Sequence, residues 1–286
     1  MEEKNSIIFQ IDSPLVKDVY ENNPNYLIEF DKTQLNNTCA IYFCSNEIYY
    51  PNTEESFKAN IIKKNKYEWY NTRIPNTYKH IFIRDIKKQW YLTGINLRIN
   101  SPQLLLDFLR NETKGYTLSL VGSSAGGFAS VLYGSLLKAE RVFSFNGQFE
   151  IKTLLKSSSP NVDPIIFKYA NDSEKQLFFD TKPIINKSTN IFYFHSANSP
   201  WDKEQYNHVK NAEINPITFI SRKHGIPFPK CCLPVVLSWD KNMLLTKTCQ
   251  RFYPLFFSFE CVGFIKTWSG ILTQSIEKIK KYITNY

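Results

Sequence analysis

The sequence has few features that would mark a metal-binding, secreted or multidomain protein. Its six cysteines include no C-x-x-C pair, so we assign no metal and expect reduced thiols in the core. The N-terminus has neither the basic segment nor the long apolar run of a secretory signal. No repeat or Gly/Ser/Pro-rich linker divides the chain, so residues 1–286 are expected to form a single domain of a cytoplasmic protein.

Long apolar runs are also missing. The most apolar late stretch, Phe252 to Phe264, is 13 residues long and contains Pro254 and Glu260, whereas a membrane span needs about 20 apolar residues. This comparison predicts no membrane span. It leaves open whether the aromatic C-terminal region rests on the inner face of the membrane as a peripheral contact.

Positive charge is unevenly distributed along the chain, whose net charge is +9. The region from Lys203 to Tyr286 holds 12 Lys and Arg residues against 5 Asp and Glu, a net charge of +7, and therefore attracts anions. The basic residues match no nucleic-acid-binding motif, so nucleic acid is not the expected partner. Phosphorylated small molecules, nucleotide-linked donors or an anionic lipid surface fit this charge as well or better.

Short runs rich in β-branched and aromatic residues alternate with helix-compatible segments. This pattern predicts an α/β fold with a mostly parallel sheet covered by helices on both faces. The predicted strands are Ser6–Ile11, Tyr26–Phe30, Cys39–Cys44, His80–Arg84, Thr117–Val121, Arg141–Phe145, Asn190–His195 and Ile217–Ser221. The predicted helices are Glu54–Lys64, Pro102–Asn111, Ala125–Lys138, Lys203–Asn211 and Trp268–Tyr282. Residues 151–188, a small lid insertion, and residues 226–264, an irregular aromatic-rich segment, interrupt the alternation.

The segment from Gly122 to Gly126, GSSAG, has the pattern G-x-S-x-G between an apolar strand and a helix-compatible run. At such a turn the central serine takes a strained backbone conformation, and small neighbours are needed because larger side chains would collide with adjacent strands. The helix N-terminus also points free amides at the serine oxygen and stabilises developing negative charge. Ser124 is therefore the candidate nucleophile. The structural alternative is a tight turn whose serines only cap a helix.

A serine nucleophile needs a base. In α/β folds with a G-x-S-x-G turn, the base follows the serine and the acid along the chain. Of the four histidines, His80 precedes the serine, His208 falls on a predicted helix and His195 ends a predicted strand. His224 follows a predicted strand in SRKHGIPF, where Gly225 and a proline prevent regular structure. His224 is therefore the candidate base.

The acid that orients this base should follow the preceding strand. The strand IFYFHS leads through ANSPW to Asp202, which gives the chain order Ser124, Asp202, His224. Asp180 is the reserve acid. The alternative is that Asp202 and His224 are ordinary polar groups of two loops.

Two further groups of residues are candidates for contacts with the substrate. The topology places an oxyanion hole at the amide of Ala125 and at a second amide after the strand CAIYFC, from Ser45 or Asn46. Asn146 and Gln148 follow another strand at the same edge of the sheet. They are predicted either to contact substrate or to serve the turn.

With these residues assembled, the chain resembles the α/β-hydrolase superfamily from the Cys39 strand to the final helix. Within that superfamily it is similar to the bacterial capsular polysaccharide and glycan O-acetyltransferases, on the motifs GSSAGGFASVLYG and RVFSFNGQ. In that branch the second motif tends to end in a Pro-Gln-like turn. Gly147 stands here in the position of the proline.

The resemblance implies acetyl transfer from acetyl-CoA, through an acyl-serine, to a sugar hydroxyl of a bacterial surface glycan or activated sugar. Ser124 would be acylated, His224 would act as base and then as acid, and Asp202 would orient His224. Acetyl-CoA would be a co-substrate, and no bound cofactor is implied. A carboxylesterase or deacetylase would use the same three residues with water as acceptor. A third possibility is a catalytically inactive hydrolase fold used as a binding or scaffold component in glycan assembly, such as capsule polysaccharide biosynthesis.

Overall fold

The computed structural model describes residues 8–284, with the side chains of all of these except residues 277, 278 and 280–284. Eight strands in this part of the chain form one sheet: β1 (Tyr26–Phe30), β2 (Thr38–Phe43), β3 (Lys79–Ile83), β4 (Thr117–Ser123), β5 (Arg141–Phe145), β6 (Asn190–Ser196), β7 (Asn215–Phe219) and β8 (Arg251–Phe252). Their order is β1-β3-β2-β4-β5-β6-β7-β8. Only β1, at one edge, runs antiparallel to its neighbour in this sheet. Seven of the eight predicted strands are present, with ends shifted by at most two residues.

The helices of the described chain are α1 (Phe9–Asp12), α2 (Pro14–Asn22), α3 (Glu54–Phe57), α4 (Pro102–Glu112), α5 (Ala125–Leu137), α6 (Leu154–Ser157), α7 (Pro164–Lys168), α8 (Ser173–Gln176), α9 (Pro200–Val209), α10 (Leu233–Ser238), α11 (Lys241–Lys247) and α12 (Pro254–Thr284). A π-helical turn, Lys58–Lys63, follows α3. The last helix is interrupted at Gly263, whose φ of 77° and ψ of 169° are not helical.

Side chains that alternate along the central strands fill a core on each face of the sheet. In β2, Cys39, Ile41 and Phe43 join one hydrophobic cluster, whereas Ala40 and Tyr42 join another. The first cluster includes residues of α4 and α5, and the second includes residues of α10, α11 and α12. The prediction of a mostly parallel sheet covered on both faces is confirmed.

The first predicted strand, Ser6–Ile11, is wrong in its described part. Phe9 begins the short helix α1, and residues 6 and 7 lie outside the described residues. The carboxylate of Asp12 accepts a hydrogen bond from the amide of Ile8 at 2.9 Å, which closes a helical turn. Phe9 also packs edge-on against Tyr49, at 6.2 Å between ring centroids. These contacts outweigh the strand preference of the isoleucines.

The segment 226–264 is not irregular, as the sequence suggested, but contains α10, α11, β8 and the start of α12. Two of its prolines begin helices rather than break them: Pro234 and Pro254 lie in first turns, where the missing N–H has no helical acceptor to lose. Asp240 caps α11 by accepting a hydrogen bond from the amide of Met243 at 2.8 Å.

The last helix extends well beyond the predicted Trp268–Tyr282. In the described chain, Pro254–Ile276 is long and apolar enough to cross a membrane by length and composition, with a mean hydropathy of 1.3 and 17% of it buried. The 13-residue stretch compared with a membrane span above ended at Phe264, and α12 carries the apolar pattern past Lys266. The apolar part of the chain is therefore longer than the 13 residues from Phe252 to Phe264.

The interval 151–188 connects β5 to β6 and holds the short helices α6, α7 and α8. Ile165 and Ile166 of this insertion are buried in the first hydrophobic cluster. The amide of Ile165 also donates a hydrogen bond to Oε1 of Gln89 at 3.2 Å. A lid function of this insertion stays a prediction.

Candidate active site

Ser124 occupies a strained turn between β4 and α5. Its φ of 52° and ψ of −122° are rarely adopted by a residue with a side chain. The turn is closely packed: a Cβ on Gly122 would lie 2.0 Å from the carbonyl oxygen of Gly126, and one on Gly126 would lie 2.3 Å from that of Phe43. The strand, sharp turn and helix that G-x-S-x-G predicts around Ser124 are present.

Two loops bring a histidine and an aspartate to this serine. Nε2 of His224 lies 2.8 Å from Oγ of Ser124, and Nδ1 of His224 lies 2.7 Å from Oδ1 of Asp202. His224 lies in the loop after β7, and Asp202 lies in the first turn of α9, after β6. The Asp202 side chain is 2% exposed, whereas 32% of the His224 side chain is exposed. The structure therefore brings together the three residues that were selected from the sequence.

The contacts of His224 indicate which of its ring nitrogens carries the proton. A carboxylate can only accept a hydrogen bond, so Nδ1 of His224 donates to Asp202 and Nε2 accepts from the hydroxyl of Ser124. Oδ2 of Asp202 is buried without a hydrogen-bond partner in the described chain. The Asp202 carboxylate therefore directs its hydrogen bonding to His224, an arrangement suited to holding the ring of a catalytic base in place.

Trp201 is a neighbour of the site that the sequence reasoning missed. Its ring stacks on that of His224, with centroids 5.0 Å apart and an interplanar angle of 21°. The indole therefore covers one face of the imidazole. Trp201 is 39% exposed, so part of its ring stays available to a substrate. Its position beside Asp202 in ANSPW was the available signal.

Asn146 does not have the substrate-contacting role that was one of its two predicted alternatives. Its side chain is fully buried, and Nδ2 donates to the carbonyl oxygens of Lys223 and Gly225 at 3.1 and 2.8 Å. Oδ1 accepts from the amide of Ser196 at 2.8 Å. Because the two carbonyls flank His224, Asn146 fixes the loop that carries the base.

Gln148 lies at the nucleophile. Its Nε2 donates to Oγ of Ser124 at 3.4 Å, and its Oε1 accepts from the indole N–H of Trp90 at 3.1 Å. The side chain is 1% exposed. A buried amide N–H next to a serine oxygen is suited to stabilising negative charge on a substrate oxygen bound there.

The predicted oxyanion donors differ in their surroundings. Ala125 begins α5, so its amide is one of the N–H groups that no carbonyl of the helix can reach. The prediction that Ser45 supplies an oxyanion-hole amide is wrong, because this amide donates to the carboxylate of Glu68. The hydroxyl of Ser45 donates to the same carboxylate at 3.1 Å. Burial raises the pKa of the Glu68 carboxyl. Asn46 begins a 3₁₀ turn next to Ser45, and its part in an oxyanion hole stays a prediction.

Asp180 and the other histidines are engaged elsewhere. Asp180, the reserve acid, accepts a hydrogen bond from Nε2 of His208 at 2.9 Å, so it does not orient His224. His195 lies between the rings of Tyr193 and Tyr206, at centroid distances of 5.1 and 4.4 Å. In the described chain no group of three His, Cys, Asp or Glu side chains could hold a metal ion.

No protein-family model and no curated protein matches the chain. Similar solved structures include the capsule O-acetyltransferase of Neisseria meningitidis serogroup A, with 13% identity, a TM-score of 0.48 and coverage of 68% of this chain and 83% of that chain. A structure of a mutant of that enzyme in complex with CoA has 12% identity and a TM-score of 0.47, and the match covers 68% of this chain and 82% of that chain. Esterase B from Lactobacillus rhamnosis has 12% identity and a TM-score of 0.44, and the match covers 93% of this chain and 88% of that chain.

Similarities of this size say nothing about the activity of this chain. The chain's own features are more specific: a mostly parallel sheet, a serine at the turn from β4 to α5, and an aspartate and a histidine after β6 and β7. These features, in the chain order Ser124, Asp202, His224, give the protein an α/β-hydrolase-type fold.

Proposed function

We propose that this protein is a serine acyltransferase that moves an acetyl group from acetyl-CoA to a sugar hydroxyl of a bacterial surface glycan or its activated precursor. The observation that carries the proposal is the continuous hydrogen-bonded path from Ser124 through His224 to Asp202. A nucleophile, a base and an orienting acid at these distances form the minimum set for acyl transfer through serine. A binding protein without catalysis would not need the strained turn at Ser124.

In the first half of the reaction, Oγ of Ser124 attacks the thioester carbonyl of acetyl-CoA while its proton passes to Nε2 of His224. Nε2 of Gln148 and the amide of Ala125 donate to the oxyanion that develops. The C–S bond then breaks, and the CoA sulfur leaves with the proton from His224. The products of this half are acetyl-Ser124 and CoA.

In the second half, His224 accepts the proton of a sugar hydroxyl, whose oxygen attacks the acetyl-Ser124 carbonyl. The ester bond to Ser124 breaks, and its oxygen recovers the proton from His224. The exposed part of the Trp201 ring, beside His224, provides an apolar surface on which a sugar ring can pack. This position would hold the acceptor hydroxyl near the base.

Positive charge beside the site supports a donor that carries phosphate. Lys203 and Arg222 line one surface groove with Ala197, Asn198 and Pro200. Lys203 follows Asp202 in the chain, and Arg222 lies two residues before His224, so the segments that carry the acid and the base also carry these cations. Charges of one sign in a groove attract oppositely charged ligands such as CoA. We also place the protein in the cytoplasm, where acetyl-CoA is present.

The direct test is to incubate the purified protein with labelled acetyl-CoA and locate the label by peptide mass spectrometry. Label is expected on Ser124, retained in Ser123→Ala and absent from Ser124→Ala. Adding fragments of capsular polysaccharide or activated sugars should discharge the label onto the sugar. Failure to acylate Ser124 with any acetyl donor would overturn the proposal.

Water competes with the sugar for the acyl-serine, which separates a transferase from an esterase. A bound and oriented hydroxyl reacts at an effective concentration far above that of a free one, so acetyl-CoA should be consumed slowly alone and much faster with the right glycan. Free acetate and acetylated sugar are measured in the same reaction. Rapid release of acetate, with no acetylated sugar from any acceptor, would identify an esterase instead.

A further inference from the structure

The C-terminal helix α12 exposes a stripe of large apolar side chains. After the break at Gly263 the members lie along one side of the helix, three or four residues apart except for the adjacent first two, and each is 43% exposed or more: Phe264, Ile265, Trp268, Leu272, Ile276 and Ile279. Aromatic contacts with centroids 5.2 to 6.3 Å apart extend the stripe backwards, through Phe259 and Phe256 to Tyr253. We call these residues the apolar stripe. An exposed apolar surface of this kind indicates a binding site for another surface.

Another side of α12 is fixed to the protein. Thr267 is fully buried, and Gly270 lies so close to Cys231 that a Cβ on the glycine would be 2.7 Å from the cysteine Cβ. Ile271 and Gln274 are partly buried on the same side. Lipid therefore cannot surround the helix unless the helix leaves the domain.

The helix is also poorly shaped to cross a bilayer. Gly263 divides the apolar window, and the apolar part after the break, from Phe264 to Ile276, is 13 residues long. At about 1.5 Å per residue this part is about 20 Å long, against about 30 Å for the hydrocarbon core. Lys278, Lys280 and Lys281 follow it in the sequence. A helix of this pattern fits the plane of the membrane surface better than its interior.

Charge identifies the surface that the stripe fits. The exposed Lys266, Ser269 and Thr273 form a polar side next to the stripe, and α12 as a whole contains four lysines against two glutamates. The region from Lys203 to Tyr286 has a net charge of +7. Two copies joined through their stripes would bring two such basic regions together, whereas anionic phospholipid attracts them.

We propose that α12 docks the protein on an anionic phospholipid membrane, with the helix in the membrane plane and the apolar stripe among the headgroups and upper acyl chains. Ile271 and Gln274 of α12 line one groove with Ser221 and Lys223 of the His224 loop. Docking would therefore hold the candidate active site beside the lipid surface. Combined with the proposed acetyl transfer, this position favours a sugar acceptor carried on a lipid.

The test is sedimentation of the full-length protein with phosphatidylcholine vesicles that contain or lack phosphatidylglycerol. Binding is expected with phosphatidylglycerol and should weaken at high salt. Leu272→Glu should lower the partition coefficient at least about tenfold, since it places a charge in the middle of the stripe that would enter the lipid. Leu104→Glu, on an exposed position of α4, is the matched control and should bind normally. Circular dichroism establishes that both variants fold.

A second readout locates the contact on α12. Lipids brominated on the upper acyl chain should quench part of the tryptophan emission, and Trp268→Phe should remove that part. The proposal is overturned if no vesicle binds, if both glutamate variants bind equally, or if the protein in cells resists extraction by alkaline carbonate, as a spanning helix would. A dimer that Leu272→Glu dissociates, without vesicle binding, would identify a second copy as the occupant. Because vesicle binding does not require Ser124, this assay and the acetylation assay fail independently.

Discussion

The indole N–H of Trp90 donates a hydrogen bond to Oε1 of Gln148 at 3.1 Å and so turns the amide nitrogen of Gln148 toward Ser124. An indole N–H can only donate, so the Gln148 atom that faces it must be the acceptor oxygen. Trp90 is far from both residues in the sequence, and no motif connects them. The orientation of the donor beside the candidate nucleophile therefore depends on a tertiary contact.

Replacing Gln148 with leucine should lower kcat about 100-fold on acetyl-CoA or p-nitrophenyl acetate, because the loss of one oxyanion donor has an effect of this size. KM should change little, since the donor acts on charge that develops during the reaction. Trp90→Phe should have a smaller effect in the same direction, because it frees the Gln148 amide without removing it. Steady-state kinetics gives both values. An unchanged kcat in folded Gln148→Leu would remove Gln148 from the oxyanion hole.

Ser124→Ala and His224→Ala should each lower kcat by about 10⁴-fold or more, as the loss of a nucleophile or its base does in serine enzymes. The double variant should be no slower than either single variant, because the two residues act as one unit. Ser123→Ala is the matched control, since Ser123 is the buried last residue of β4. Loss of activity in Ser123→Ala, with Ser124→Ala still active, would move the nucleophile by one position.

Asp202→Asn should lower kcat less than His224→Ala but still by about 10³-fold or more, because an amide can hold His224 in the wrong tautomer. Asp180→Asn should leave kcat close to that of the parent protein, since Asp180 pairs with His208. Kinetics on the two isosteric variants distinguishes the assigned acid from the reserve acid. The reverse ranking would show that Asp202 only holds its loop.

Asn146 should control activity through the His224 loop. Asn146→Asp keeps the acceptor for Ser196 but loses the donor to the carbonyl oxygens on either side of His224, so the base should shift and kcat should fall about 100-fold. Unfolding free energy should fall by about 2 kcal/mol, because buried acceptors lose their partner. Asn190→Asp, at an exposed hydrogen bond to the carbonyl of Glu140, is the control and should retain activity.

The sequence was informative where chemistry depends on local order along the chain. The sharp turn at Ser124 is caused locally, by the small residues of the segment from Gly122 to Gly126. The fixed order of serine, acid and base along the chain then selected Asp202 and His224 from few candidates. Alternating strands and helices likewise identified the sheet, because burial on both faces requires apolar runs.

Other features depend on distant partners and left no local signal. The amide of Ser45 was selected for its position after β2, but it donates a hydrogen bond to the carboxylate of Glu68, which lies in a separate loop. Asn146 follows a strand at the same edge as the nucleophile, and only the packed structure places its amide under the His224 loop. The α1 helix was mistaken for a strand because isoleucines favour strands unless a side-chain hydrogen bond and a packing partner outweigh that preference.

The protein should lose stability in acid through His195. Burial, followed by the nearby positive charge of Arg251, lowers the pKa of His195 to about 4. Its Nε2 contacts Oγ1 of Thr218 at 2.9 Å, and its Nδ1 is buried without a hydrogen-bond partner in the described chain. A second proton on this ring would therefore be buried without an acceptor.

The folded and unfolded chains bind a proton on His195 at different pH values. The unfolded chain takes up a proton on His195 near pH 6.5 and the folded chain only near pH 4, so the stabilising contribution is complete above pH 6.5 and is lost as the pH falls toward 4. At pH 5 the loss should be about 2 kcal/mol relative to pH 7.5. Urea unfolding at the two pH values measures it, and His195→Gln, which has no titrating group, should show about 2 kcal/mol less pH dependence. Equal pH dependence in both proteins would mean that His195 takes up its proton in the folded state as readily as in the unfolded one.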